Sequence, residues 1–240
     1  QVEPISQAAA NQRAGRCGRV ADGVCIRLYD EADFAKRPRF TDPEILRSSL
    51  AAVILRMKAL QLVDVEQFPF LDPPPRKAIV DGYALLHELG AVDEARELTE
   101  VGRQLSLLPV DPRIGRMLLA ARELDCLREV TLIAAGLSAQ DPRERPMDAQ
   151  QAADQSHRRF VDEKSDFVSY VKLWDYWAQS QAEKESNRKL AQRLEREFLS
   201  TRRLREWADV HAQLADALRA LKWRGNTRPA SHESIHQALL

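Results

Sequence analysis

The chain has 240 residues, 44% of them hydrophobic, enough to bury a sizeable core in two compact domains, so disorder is excluded as the default. Lys plus Arg number 36, as do Asp plus Glu, which excludes bulk basicity and leaves any nucleic-acid role to local patches. Cys17, Cys25 and Cys126 show neither a CxxC pair nor a nearby His spacing, no apolar run nears the roughly 18 residues that span a bilayer, and no leader is evident. These absences predict no disulfide frame, no zinc site, no membrane contact and a reducing, cytoplasmic location.

Only 9 glycines, with many Leu, Ala, Arg and Glu, predict a mainly α chain. The first helix is seeded by Gln7 to Asn11. If it continues through QRAGRCGR, residues 12–19, then Gln12, Arg16 and Arg19 stand at i, i+4 and i+7 on one face and Arg13 points elsewhere. GVCIRLY, residues 23–29, alternates Val24, Ile26 and Leu28 against Cys25, Arg27 and Tyr29 after the turn-prone Asp22-Gly23, which predicts one strand. A lone strand makes no sheet, so residues 1–40 read as the tail of a larger α/β domain whose other strands lie upstream.

Thr41 or Asp42 as cap, Pro43 in the first turn, and Ile45, Leu46, Ser49, Leu50, Val53, Ile54, Met57 and Leu60 at helical spacing predict a long helix. After the break at Asp72-Pro73-Pro74-Pro75, a second helix carries Ile79, Tyr83, Leu86 and Leu89 to Gly90. Apolar pieces at Ala91-Val92 and Glu97-Leu98 predict a small hairpin, and Val101, Leu105 and Leu108 a third helix. Helix, helix, wing and helix suggest a winged-helix module over residues 41–108.

Beyond it, stripes at Ile114, Met117, Leu118, Ala121 and Leu124, then Leu127, Val130, Ile133, Ala134 and Leu137, predict two further helices. Phe167, Tyr170, Val171, Trp174 and Trp177, then Leu204, Trp207, His211, Leu214, Leu218 and Leu221, predict two more. Their apolar faces make a helical bundle over residues 109–240. Pro142 and Pro146 forbid a continuous helix between the second and third. Helical spacing within apolar stripes assigns the tryptophans and His211 to core packing in preference to base stacking or acid–base work.

QRAGRCGR gathers guanidinium forks and an amide. Two forks can spread over the oxygens of a terminal phosphate as charge develops, while a glutamine orients a water. A bare RxxR spacing is more often a solvated helix edge. The surrounding string narrows the choice.

QRAGRCGR resembles motif VI of the DEAH/RHA family of ATP-dependent RNA helicases, Q-R-x-G-R-x-G-R, followed at family spacing by GVCIRLY. TDPEILRSSLAAVILRMKAL is similar to the family's entry into a winged helix, FLDPPP to the exit from that helix, and LTEVGRQLSLLPVDPRIGRML to its junction with a helical ratchet domain. QDPRERPMDAQQAADQSHRRF, KLWDYW and REW resemble the bacterial HrpA type. The resemblance implies the tail of a second RecA-like domain over residues 1–40, then a winged helix, then a ratchet (HA2) domain. Position by position, it implies that Gln12 orients the attacking water, that Arg16 and Arg19 contact the ATP γ-phosphate, and that Arg13 is structural. No GxxxxGK[ST] loop and no DEAH tetrad occur. ATP and Mg2+ are therefore expected mainly on domains outside these residues, and this piece alone is expected not to hydrolyse ATP.

Arg143 and Arg145 lie in a proline-bounded loop with His157, Arg158 and Arg159 soon after, a setting suited to the phosphates of single-stranded RNA; Asp141, Glu144, Asp148 and Asp154 are interleaved and leave solvent or acidic contacts as the alternative. In FLSTRRLREW, Ser200 and Arg202 stand where the family usually has asparagine and arginine, and the serine departs from that pattern. The resemblance implies single-stranded RNA, upstream RecA-like domains and a downstream OB-fold of the same protein as partners, and ATP-driven RNA translocation or unwinding as the activity. The alternatives are a stand-alone winged-helix DNA-binding regulator, which needs a basic base-reading face that residues 80–92 lack, and a protein-interaction scaffold.

Overall fold

Ser6 starts the first helix, α1 (Gln7–Ala14), by accepting the Ala9 N–H on its hydroxyl at 3.2 Å. The structure, a computed structural model, describes residues 4–18, 21–41, 49–183 and 186–240. Two first-turn donors of α1, the N–H groups of Gln7 and Ala8, reach the carbonyls of Pro38 and Arg39 at 2.9 Å each. Those orphan donors thereby tie α1 to the exit of α2 (Glu31–Lys36), itself capped by Asp30.

Two expectations fail here. The first helix does not run to Arg19: Gly15 closes it, Arg16 and Cys17 follow in tighter turns (Arg16 N–H to Arg13 O, 3.1 Å; Cys17 N–H to Ala14 O, 3.0 Å), and Gly18 takes the left-handed φ of +82°. Arg19 lies outside the described residues. Residues 23–27 have no regular secondary structure, Leu28 and Tyr29 form a bend, and Val24, Ile26 and Leu28 stand 87, 81 and 94% exposed, so the expected strand is not formed among the described residues. An alternating segment becomes a strand only when a neighbour takes its N–H and C=O groups, and none does so among the described residues.

The winged-helix module forms around α3 (Leu50–Ala59), α4 (Arg76–Glu88) and α5 (Glu100–Ser106), with α3 packed on both others. The expected unbroken helix from Thr41 to Leu60 is corrected, because Ser49 is extended (φ −61°, ψ 123°) and α3 begins after it. Asp42, Pro43, Ile45 and Leu46 lie outside the described residues. Leu50, Ile54, Leu55 and Met57 from α3 meet Ile79, Tyr83 and Leu86 from α4 in the core. The hairpin is minimal: one antiparallel bridge, Val92 to Leu98, flanked by Asp93 N–H to Glu97 O at 3.0 Å and Thr99 N–H to Ala91 O at 3.1 Å. The Thr99 hydroxyl donates to Gly90 O at 2.6 Å and accepts the Gly102 N–H at 3.0 Å, capping α5 against the wing. A Cβ at Gly102 would lie 2.0 Å from Ala91 O, so only glycine lets α5 approach the wing backbone this closely.

The helical part comprises α6 (Pro112–Glu123), α7 (Leu127–Ser138), α8 (Gln150–His157) running into a 3-10 turn (Arg158–Phe160), α9 (Asp166–Ala182), α10 (Asn187–Arg196), α11 (Thr201–Ala220) and α12 (His232–Leu239). Residues 129–136 of α7 are buried on every side, and α6, α9, α11 and α12 pack around it. A helix apolar all round belongs at the centre of a bundle. Trp207 of α11 reaches into this centre, fully buried, with its indole N–H on Leu132 O of α7 at 3.0 Å; Tyr170 and Trp174 of α9 pack edge-on to its ring. Trp177 is buried as well and Trp174 packs partly buried against the core, so the core assignment holds in full for Trp177 and Trp207 and in part for Trp174, whereas His211 is half-buried against Trp174 at an ordinary ring-contact distance of 4.7 Å.

One carboxylate lies inside this apolar packing. Glu129, in the first turn of α7 and only 7% exposed, accepts the Asn226 side-chain amide at 2.8 Å and the Ala230 N–H at 3.4 Å. Asn226 Oδ1 in turn accepts the Arg128 N–H at 2.9 Å. A buried carboxylate persists when donors and a helix N-terminus surround it, and this one fastens residues 226–230 to α7. No helix among the described residues is long and apolar enough to cross a membrane.

Candidate nucleic-acid interface

Gln12, in the last turn of α1, and Arg16, in the turn after it, are both exposed. Neither has a hydrogen bond or ion pair among the described residues. Two other arginines nearby are engaged: Arg27 donates to Asn11 Oδ1 at 2.8 Å and lies 4.3 Å over the Phe34 ring, while Arg37 pairs with Asp33 at 2.5 Å and lies 4.0 Å over Tyr29. Arg13, expected to be structural, is also exposed and makes no such contact among the described residues.

The second group is assembled by backbone. After α10, Phe198 takes a left-handed φ of 57° that turns the chain toward α11. Leu199 then bridges antiparallel to Arg143, with Glu144 N–H on Phe198 O at 2.8 Å and Ser200 N–H on Pro142 O at 2.9 Å. His157, buried at the end of α8, donates from Nε2 to the same Phe198 carbonyl at 3.1 Å, and the Ser156 hydroxyl donates to Glu197 O at 3.2 Å. Three segments distant in sequence, around residues 141–145, 156–159 and 197–203, therefore meet at one carbonyl. This brings every residue expected to face RNA into one region.

Their side chains differ sharply. Arg143 is committed inward: it forks onto Asp141 (Nη2 to Oδ2, 2.7 Å; Nε to Oδ1, 3.0 Å) and covers Tyr170 at 5.5 Å. Arg159 is held by Glu197 at 2.8 Å between the rings of Phe160 and Tyr176. Ser200 sits at the N-cap position of α11 with no side-chain cap bond. Arg158 is exposed without an ion pair among the described residues, Arg145 makes a surface pair with Asp154 at 2.7 Å, and Arg202 is 76% exposed with Glu206 at 4.0 Å. Exposed pairs of this kind stabilise little and exchange readily for another anion. Arg145, Arg158 and Arg202 are thus the guanidinium groups open to a polyanion, while Arg143 and Arg159 shape the surface.

Burial pushes the Asp141 carboxyl upward, but the hydrogen bonds and charge of Arg143 outweigh it and hold the group below the ordinary carboxylate value. Burial likewise lowers His157 below its ordinary 6.5, with the Arg143 charge assisting and the Phe198 hydrogen bond opposing. The unfolded chain binds this proton at the ordinary value and the folded chain resists it. Its stabilising contribution is therefore complete above pH 6.5 and is lost as pH falls through the lower folded value. We expect His157→Gln, which keeps a donor for Phe198 O and cannot titrate, to flatten the decline in unfolding free energy as pH falls below 6.5 in urea titrations. An unchanged decline would place that sensitivity elsewhere.

The sequence matches known proteins. The family model of the winged-helix part of the helicase-associated domain (HA2) matches residues 83–110, and that of its ratchet-like part matches residues 111–218. The chain belongs to this helicase-associated (HA2) family. Across its whole length it is 53% identical to the ATP-dependent RNA helicase HrpA of Escherichia coli (strain K12) and 51% identical to the HrpA homolog of Haemophilus influenzae. Over 90% of its length it is 37% identical to the probable ATP-dependent RNA helicase DHX35 of Pongo abelii. The chain spans 19% of the length of each HrpA relative and 29% of the DHX35 relative.

Sequence reasoning missed α8 and α10, and with them the role of His157. Leu190 and Leu194 are the buried residues of α10, an i, i+4 pair that was the available signal in a run of charged side chains. For the Phe198 junction no local signal exists, because its partners are 41 and more residues away.

Proposed function

We propose that this chain works as part of an ATP-dependent RNA helicase of the DEAH/RHA type, in the cytoplasm, with RecA-like domains and an OB-fold of the same protein as its neighbours. The observation that carries the reading is identity above 50% to HrpA helicases along all 240 residues, motif VI included. ATP and its Mg2+ are held mainly by the RecA-like domains. Gln12, Arg16 and Arg19 complete that pocket from this side: the amide orients the attacking water, and the guanidinium groups neutralise charge that grows on the γ-phosphate oxygens. The exposure of Gln12 and Arg16, with no partner among the described residues, supports this role, since a side chain already paired within its own chain would have to break that pair to serve another domain.

Single-stranded RNA runs along the Phe198 junction, where Arg145, Arg158 and Arg202 meet its phosphates and Ser200 and the α11 N-terminus lie beside them. Closing of the motor on ATP and its reopening after hydrolysis move the strand past this surface. At equilibrium the coupling is reciprocal, so RNA alters nucleotide affinity by the factor that nucleotide alters RNA affinity.

Affinity for single-stranded RNA and for duplex DNA, measured from about 50 to 200 mM salt, separates this reading from its alternatives. The expected result is a preference for the single strand with a steep salt dependence. A preference for duplex DNA would favour a winged-helix regulator, and no nucleic-acid binding would favour a scaffold.

A further inference from the structure

We infer that Arg203 is a positioning residue that fixes the loop carrying Arg145 against the start of α11 without itself touching RNA. The inference rests on the RNA reading above. Neighbouring residues on a helix point about 100° apart, and here the two arginines divide accordingly: Arg202 faces solvent at 76% exposure, whereas Arg203, at 21%, turns onto the loop. Its Nη1 donates to Asp141 O at 3.1 Å, and the same nitrogen lies 3.8 Å from the Glu144 carboxylate. The loop joins residues 198–200 through Ser200 N–H to Pro142 O and Glu144 N–H to Phe198 O, so Asp141 and Glu144 bracket the Arg143–Leu199 bridge. Beyond these backbone bonds the loop is held by Arg143 over Tyr170 and by the surface pair of Arg145 with Asp154. Arg203 adds the direct side-chain tie from α11 to both ends of the bridged stretch, the Asp141 carbonyl and the Glu144 carboxylate.

Stability does not account for an arginine at this position. Its Nε is buried and has no hydrogen-bond partner among the described residues, and an unpaired buried donor works against the fold. An unbranched apolar side chain of similar length would fill the space without that penalty, but it could not hold the Asp141 carbonyl and Glu144. The arginine therefore serves the placement of the loop.

The test uses the full-length protein and a fluorescent single-stranded RNA oligonucleotide, with affinity by anisotropy across a potassium chloride series and thermal melting alongside. Arg203→Met is expected to weaken binding by about five- to tenfold at every salt concentration, with the slope of log affinity against log salt and the melting temperature both unchanged. Arg202→Met, which removes a direct contact, is expected to weaken binding and to reduce that slope by about 0.7, one phosphate of a single strand. Wild-type affinity in Arg203→Met, a reduced slope, or a clearly lower melting temperature would each overturn the inference. In those cases the residue would be idle, in contact with phosphate, or required for the fold. If the unsubstituted protein binds no single-stranded RNA, the functional reading fails and takes this one with it; if it binds and Arg203→Met matches it, the positioning role alone fails.

Discussion

Replacing Arg16 with alanine in the full-length protein is expected to lower RNA-stimulated ATP hydrolysis by about 10³-fold while leaving RNA affinity in the absence of nucleotide unchanged. Phosphoryl transfer offers a protein little to do except position groups and neutralise charge, so losing one guanidinium at the γ-phosphate falls almost wholly on the chemical step. The local structure makes the substitution clean. Arg16 is exposed, has no partner among the described residues, and follows the end of α1, so its side chain can be removed without disturbing packing. Phosphate release at saturating RNA is the measurement, and turnover equal to wild type would refute the assignment. Gln12→Ala should show a similar separation, low turnover with intact RNA affinity, because orienting a water matters only once nucleotide is bound.

Trp207→Ala is expected to destabilise the chain by about 3–5 kcal/mol, which for a chain of this size lowers the melting temperature on the order of 10 °C. The indole fills the junction of α7, α9 and α11 with no exposed surface, and its N–H is bonded to Leu132 O at 3.0 Å. Truncation leaves a cavity lined by Tyr170 and Trp174 and removes the donor from that carbonyl. Trp207→Phe should recover part of the loss by refilling the space. Calorimetry provides the check. Were this ring a platform for RNA bases instead, alanine would weaken RNA binding and leave the melting temperature in place.

What could be read without coordinates follows from how local each cause is. The stripes of α6, α7, α9 and α11 were legible because each helix advertises its buried face at a 3.6-residue period, and the hairpin because two short apolar pieces flank a polar turn. Ser49 broke an apparently continuous stripe, since the apolar spacing persists through a residue whose backbone is extended. The alternation of Val24, Ile26 and Leu28 predicts how side chains would face in a sheet but says nothing about whether a neighbouring strand stands beside them. In the candidate site, the residue types were legible from their resemblance to a family. The division of labour among them was not. Arg143 and Arg202 look alike as letters, yet one is locked to Asp141 and the other faces solvent. That difference is set by a junction joining residues far apart in the chain, which no window of sequence contains.

The carboxylate of Glu129 carries a consequence for where the bundle ends. Likeness to the ratchet-like family part stops at residue 218, but both groups that satisfy this carboxylate, the Asn226 amide and the Ala230 N–H, come later, and α12 closes over α6 and α7 later still. Cutting the polypeptide at 218 would remove both of these donors and the helix that packs beside them. The cooperative unit thus includes its last 22 residues, and those residues act as a keystone set after the arch is raised.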